Sequence, residues 1–310
     1  MTLLPFQLTL WDVGHGLSVW IRTPSGFSHW VDTGYLPGFS PAEHVYTNYG
    51  IRSIDYLTIS HADKDHIDDL HNFIRCFGTP RVFCRNKSVP ADEKYGTLYA
   101  EYQKAFYSID ATHNATVTAG QEPWDPAWNG GVNTFQCWLD WSEASNINDS
   151  SVVSFYRYHD WLFVLPGDIG PTAWVKLWLR HQADISAVLR GTTARVLVAP
   201  HHGRSSGYSD SMIEAVKPHL IVVSDEHGKE PTDPRFRTKA KGLEHNPITG
   251  DLKPISQLIR IFEQQNKPTG FLRLLNAGKR DIKYLSMKST GRLQFKVDVA
   301  GNCSLHIVDS

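Results

Sequence analysis

The chain has 310 residues, 41% of them hydrophobic and 20% charged, which is long enough to bury a full core and excludes a disordered chain. A formal net charge of -1 excludes whole-molecule attraction to nucleic acid or to an anionic membrane and leaves only local patches to consider. No apolar run approaches the roughly 20 residues of a membrane span, and Cys76, Cys84, Cys137 and Cys303 are scattered without a CxxC pair, so the expectation is a soluble cytoplasmic protein without membrane contact, its thiols reduced and structural.

In chain order, residues 6–13 alternate apolar and polar side chains until Gly14 and Gly16 interrupt them, and 18–22 resumes as a strand up to the turn Thr23, Pro24, Ser25, Gly26. A third strand over 29–31 runs into Asp32, Thr33 and Gly34. A short helix is expected over 43–49, and a compact apolar strand over 54–59 stops abruptly at Ser60 and His61. The spacing predicts a helix over 67–77 and a strand over 81–84. Residues from about 87 to 131 read as an insertion, helical over 95–109 and rich in Trp, Pro and Gly over 122–131, where Trp124 and Trp128, with Trp138 and Trp141 beyond, are core residues or a partner surface.

Strands follow over 135–139, 152–156 and 161–166, the last leading to Gly167 and Asp168. An amphipathic helix over 171–180 turns Trp174, Leu177 and Trp178 inward. Strands over 196–199 and 220–223 end at Pro200, His201, His202, Gly203 and at Ser224, Asp225. Apolar strands that stop repeatedly at Asp, His or Gly are how an α/β sandwich gathers polar groups along one sheet edge. Residues 229–296 carry fifteen Lys and Arg against six Asp and Glu, and a soft boundary near Arg235 separates a 1–235 domain from a basic C-terminal extension, 236–310, that packs on or completes the fold.

The chemistry is concentrated in the segment Ser60, His61, Ala62, Asp63, Lys64, Asp65, His66, which sets four potential metal ligands at the mouth of a strand. On a turn leading into a helix, 61 and 63 can point to one ion while 65 and 66 reach a second, as two-metal hydrolases require. The bland alternative is a capping loop, with Asp65 or Asp68 at a helix start. Further ligands are available just past other strands, at Asp168 and at His201 or His202. Each alone has an ordinary explanation as a turn or surface residue, but three such clusters in one chain favour a metal site.

These stretches resemble the metallo-β-lactamase superfamily, and within it the branch containing the cytoplasmic DNA-processing domain of the ComEC-type competence protein. The resemblance is carried in order by Asp12-Val13-Gly14-His15-Gly16-Leu17-Ser18, Val31-Asp32-Thr33-Gly34 and Ile59 through His66. It continues with Asn148-Asp149-Ser150-Ser151-Val152-Val153, Leu165-Pro166-Gly167-Asp168-Ile169 and Ala199 through Ser205. It implies a four-layer αββα sandwich with two divalent ions at the sheet edge. His61 and Asp63 would hold one ion and Asp65 and His66 the other, with Asp168 bridging. His201 or His202 would complete a shell, His201 being favoured as nearer the strand end. Asp32 would orient a ligand histidine, and Asn148 stands where many relatives carry a further ligand His.

The sequence departs from the pattern at His15, where the branch has Gln, at Leu17, where it has Asp, and after Val223, where His227 substitutes for the histidine of the branch's GHP triplet. Asp63 in place of the superfamily's common His hardens the site, so Zn²⁺ or Mn²⁺ is expected, with Mg²⁺ a further option. Asp65 with the ions would serve catalysis, and His202 or His227 would protonate the leaving group. The reading that follows is a phosphodiesterase or nuclease acting on DNA or RNA, with the closely spaced Arg235, Arg237, Lys239 and Lys241 tracking phosphates and Phe236 stacking on a base. The alternatives are a small-ester or thioester hydrolase of the same fold, and an effector or binding module with a protein partner in a multi-component bacterial defence-type system.

Overall fold

In β1 (Phe6–Leu10), β2 (Ser18–Arg22) and β3 (Ser28–Thr33), successive side chains point to opposite faces. Leu8, Val19, Ile21 and Val31 enter one apolar core, while Trp20 and Trp30 enter another. β8 (Trp161–Leu165), β9 (Ala194–Val198) and β10 (Leu220–Val223) divide in the same way: Phe163, Val196 and Val222 share the first core, and Leu162, Leu197 and Ile221 enter a third. Strands buried on both faces read as continuous apolar runs, which is why they stand out in the sequence. The computed structural model describes residues 3–96, 100–118, 122–225, 231–246, 249–254 and 280–308.

The remaining strands are β4 (Tyr56–Thr58), β5 (Val82–Cys84), β6 (Asn133–Cys137), β7 (Val153–Tyr158), β11 (Leu243–His245), β12 (Asp251–Pro254), β13 (Arg280–Ile282), β14 (Tyr284–Ser286), β15 (Arg292–Val297) and β16 (Cys303–Val308). Among the described residues they form a sheet in the order β13-β11-β12-β16-β15-β1-β2-β3-β4-β5 and a second in the order β14-β10-β9-β8-β7-β6. The two sheets face each other across the first core. Helices α1 (Pro41–Asn48), α3 (Leu70–Phe77) and α5 (Glu101–Thr112) cover the outer face of the larger sheet through Val45, Phe73 and Phe106. Helices α6 (Pro171–Leu189) and α7 (Asp210–Val216) cover the smaller sheet through Trp174, Leu177 and Ile213. The layers are therefore α, β, β, α, the sandwich of the metallo-β-lactamase fold. Among the described residues no helix is long and apolar enough to cross a membrane.

The expected helix over 67–77 is two helices, α2 (Lys64–Ile67) and α3. The break falls at Asp68 and Asp69, where the Asp69 carboxylate accepts from Ser40 Oγ (2.8 Å) and Ala42 N (3.0 Å) and its own N–H bonds Thr33 O (2.7 Å). These tertiary bonds divert the backbone from the helical pattern. Of the expected helix over 95–109, the part from Glu101 lies in α5, and a short α4 (Ala91–Tyr95) ends at Tyr95. α6 runs beyond 180 to Leu189, with non-helical dihedrals at His181.

Asp110 pins α5 to the end of β5. It is buried with Arg85, which donates Nε–H to its carboxylate at 2.5 Å and Nη–H groups to the carbonyls of Asp110 and His113, each at 2.9 Å. Lys94 and Tyr95 also reach the Asp110 carboxylate. Removing one partner of such a pair strands a buried cation, so Asp110→Ala is expected to lower stability by about 3–5 kcal/mol. Equilibrium urea unfolding measures this, and a loss under 1 kcal/mol would mean that Arg85 finds other partners.

Phe236 does not stack on a base. It is 1% exposed in the core beneath α7 and packs edge-on against Tyr208, because the turn Pro234–Arg237 directs it inward. Its basic neighbours are engaged as well: Arg235 pairs with Asp233 at 2.6 Å and lies over the Tyr208 ring, and Lys239 reaches Asp210 at 3.1 Å. Of the tryptophans at 124–141, Trp128 stacks on Phe27, while Trp124 remains 41% exposed.

Candidate metal centre

The ligand-bearing residues lie where strands stop on one edge of the sandwich: His15 after β1, Asp32 near the end of β3, His61 after β4, Asp168 after β8, and His201 and His202 after β9. Asp32 is fully buried with left-handed backbone (φ 54°), a conformation that Asp tolerates better than most residues. Its carboxylate accepts from Ser60 N (2.6 Å) and Ser60 Oγ (2.7 Å) and pairs with His66 Nδ1 (2.8 Å). With Nδ1 committed, the His66 ring must present Nε2 inward.

His66 Nε2 stands 3.2 Å from Asp168 Oδ1 and 3.3 Å from His202 Nε2. His61 is held from behind by Ser60 Oγ (3.1 Å) and Ser151 Oγ (3.4 Å) on Nδ1. Its Nε2 lies 3.6 Å from Asp63 Oδ2 and 3.9 Å from Asp168 Oδ2 and is buried without a hydrogen-bond partner. Buried polar atoms are normally paired, and this nitrogen faces two carboxylates at a place that could hold a cation.

Asp168 is the hub. One oxygen faces His66; the other lies 3.3 Å from His202 Nε2 and 3.9 Å from His201 Nε2. His202 Nε2 also lies 3.2 Å from Asp65 Oδ2, and His15 Nε2 approaches that oxygen at 3.5 Å, its ring 4.2 Å from that of His202. Two groups result, each with ligand atoms within 4.8 Å of one another: buried His61, His66 and Asp168, and beside it His15, Asp65 and His202. Imidazole nitrogen with carboxylate oxygen is a donor set that suits Zn²⁺ or Mn²⁺, so the residues fit the ions that the resemblance implies.

The carboxylates and imidazoles of the cluster shift one another's proton affinities. Burial alone would raise the Asp168 carboxyl, but His202 and His66 hold it well below the carboxylate range. Burial opposes protonation of His66, yet Asp168 and Asp32 hold it well above the ordinary imidazole value. His202, against the same burial, is pushed up to about 9 by Asp168 and Asp65. His15 is lowered to about 4 by burial and by His202.

The grouping differs from the pairing read from the sequence. His61 joins His66 rather than Asp63 alone, and Asp65 joins His202 and His15. Asp63, at the start of α2 with its side chain 43% exposed, reaches His61 from the solvent side. His202 rather than His201 stands innermost: both have left-handed backbone (φ 53° and 51°), so strand alternation does not carry past Ala199, and proximity to the strand end misjudges their directions. His201 turns toward its own loop, Nδ1 2.9 Å from Ser206 Oγ. Asn148 sits in the 3-10 turn Asn148–Ser150, its Oδ1 buried without a partner, and this turn brings Ser151 to His61. His227 lies outside the described residues.

Sequence reading missed His15 as a member of the site, although a histidine between two glycines at a strand end was its signal. Gly16 and Gly34 are there for Asp65: a Cβ on either would stand 2.4 or 2.8 Å from Asp65 O. Only glycine lets these loops pass so close.

Layers, motif order and ligand groups at the sheet edge give this chain the αββα arrangement that the metallo-β-lactamase resemblance implies. In sequence it is similar to the competence protein ComA of Neisseria gonorrhoeae, 27% identical over 248 residues that cover 76% of this chain and 30% of that protein. The chain thus spans less than a third of that curated relative. No family model matches the chain. Among solved structures it is similar to a diphosphatase from the PhnP family (16% identity, 76% of this chain and 92% of that one, TM-score 0.38). It is also similar to CmlA, a diiron β-hydroxylase from Streptomyces venezuelae (15% identity, 70% and 44%, TM-score 0.39).

Proposed function

We propose that the chain is a metal-dependent hydrolase holding two divalent ions, one by His61, His66 and Asp168 with Asp63 at its open side, the other by Asp65, His202 and His15. The observation that carries this is the buried, unpartnered His61 Nε2 facing Asp168 and Asp63. When bound, such ions activate water and neutralise charge developing on the group under attack. Asp32 and Ser60 orient His66, and Ser60 and Ser151 orient His61, so the ligand rings keep their directions without substrate. His202 belongs among the ligands rather than serving as proton donor, because its Nε2 is already turned to Asp65 and Asp168. Residues 236–310 are taken to complete the fold, supported by β15 beside β1 and β14 beside β10.

The substrate class we propose is a phosphodiester, DNA or RNA. The sequence similarity to a competence protein supports it, as does Asp63 beside His61 where the superfamily commonly has a further His. The test is cleavage of single- and double-stranded DNA and RNA with added Mn²⁺, comparing the native chain with Asp65→Ala. Metal-dependent cleavage that Asp65→Ala abolishes is expected. Absence of cleavage on every substrate, with turnover of a thioester panel, would overturn the phosphodiester reading.

A further inference from the structure

Arg204 lies across the more exposed side of the centre. Its Nη2 is 3.1 Å from His15 Nε2 and its Nη1 is 3.5 Å from His201 Nε2, so one guanidinium ties the loop after β1 to the loop after β9. An arginine has no acceptor, so both Nε2 atoms accept from it. His201 then carries its proton on Nδ1 and gives it to Ser206 Oγ. The side chains here are partly open, 15% exposed at His15, 29% at Asp65 and 18% at His201, whereas His61 and His66 show 0% and 1%.

The loop is built to hold that position. His201, His202 and Gly203 are successively left-handed, and a Cβ on Gly203 would stand 2.8 Å from Val223 Cγ1. The hook closes through Arg204 N–H to His201 O at 2.9 Å. Non-glycine residues in this conformation are costly and persist only where the surroundings demand them.

We propose that Arg204 is a substrate-binding residue that takes the non-bridging oxygens of an anionic phosphoryl group and exchanges its contacts with His15 and His201 to do so. A guanidinium fork matches phosphate in geometry and gives its oxygens charge-assisted, bidentate hydrogen bonds. The exchange also frees His15 Nε2, whose single lone pair cannot serve Arg204 and an ion shared with Asp65 and His202 at once. Arg204 thus links phosphate arrival to completion of the second ligand group and favours phosphoesters over uncharged esters. This rests on the phosphodiester reading above.

The test is calorimetric titration of the manganese-loaded 310-residue chain, freed of excess metal, with inorganic phosphate. Arg204→Ala is expected to retain its metal and weaken phosphate binding about 10- to 100-fold, and Arg204→Lys, a point charge without the fork, to recover only part. Unchanged phosphate affinity in Arg204→Ala, or no phosphate binding by the native chain, overturns the proposal. Loss of metal from Arg204→Ala also overturns it, since Arg204 would then support ligands rather than bind substrate. Phosphate binding that depends on Arg204 in a chain without nucleic-acid cleavage counts against the phosphodiester reading and leaves the anion site standing.

Discussion

Replacing Asp168 by asparagine is expected to empty both ligand groups and to lower hydrolysis roughly 10³-fold, a loss of ~4 kcal/mol in transition-state stabilisation. Among the described residues no other side chain meets so many of these histidines: its two oxygens reach His66, His202, His61 and His201 within 3.9 Å. The amide keeps the shape but removes the charge, and it places an N–H₂ group against imidazoles turned inward to accept a cation. Elemental analysis of the purified variant, beside its turnover of a phosphodiester, measures both effects. Full metal content in Asp168→Asn would show that the two groups do not share this carboxylate.

The same variant has a pH signature in the metal-free chain. His202 is raised from 6.5 to about 9, with Asp168 the first group to overcome its burial. A raised imidazole contributes stability that is fully present below its unfolded value and is lost as pH rises through the folded one. Metal-free native chain should therefore lose stability between about pH 6.5 and 9, and Asp168→Asn should show a flatter profile over that window. Denaturant unfolding at several pH values after chelation decides the matter; equal slopes would remove Asp168 as the cause.

Replacing Asp32 by alanine acts through direction rather than donation. The carboxylate fixes Ser60 N–H, Ser60 Oγ–H and His66 Nδ1 at once, so its loss releases the rings of both His66 and, through Ser60, His61. Metal affinity is expected to fall about 10- to 100-fold. Turnover should largely return at saturating metal, which separates this residue from the ligands themselves. Competition with a chromophoric chelator measures the affinity, and a value equal to that of the native chain would remove Asp32 from the support of the centre.

Much of this was legible because strands buried on both faces read as apolar runs and because polar groups cannot stop a buried strand without a reason. β2 and β10 fall where the sequence placed them, and the segment from His61 to His66 stands at the mouth of β4. Helix breaks were hidden, because the one between α2 and α3 is made by Asp69 bonding residues as distant in sequence as Thr33 and Ser40. Phe236 looked exposed among four cations, and its burial depends on Tyr208 and the core beneath α7.

The sequence by itself determined which residue types gather at the strand ends, His and Asp, because the segment dense in potential ligands is local. Tertiary structure alone decided how they combine. His15 meets Asp65 and His202 because β1 lies in one sheet and β9 in the other, and residues so far apart in sequence become neighbours only when the sheets pack. His202 turns inward because its loop is left-handed, a backbone choice imposed by close contacts around Gly203 and Gly207 rather than by the histidines' own preference.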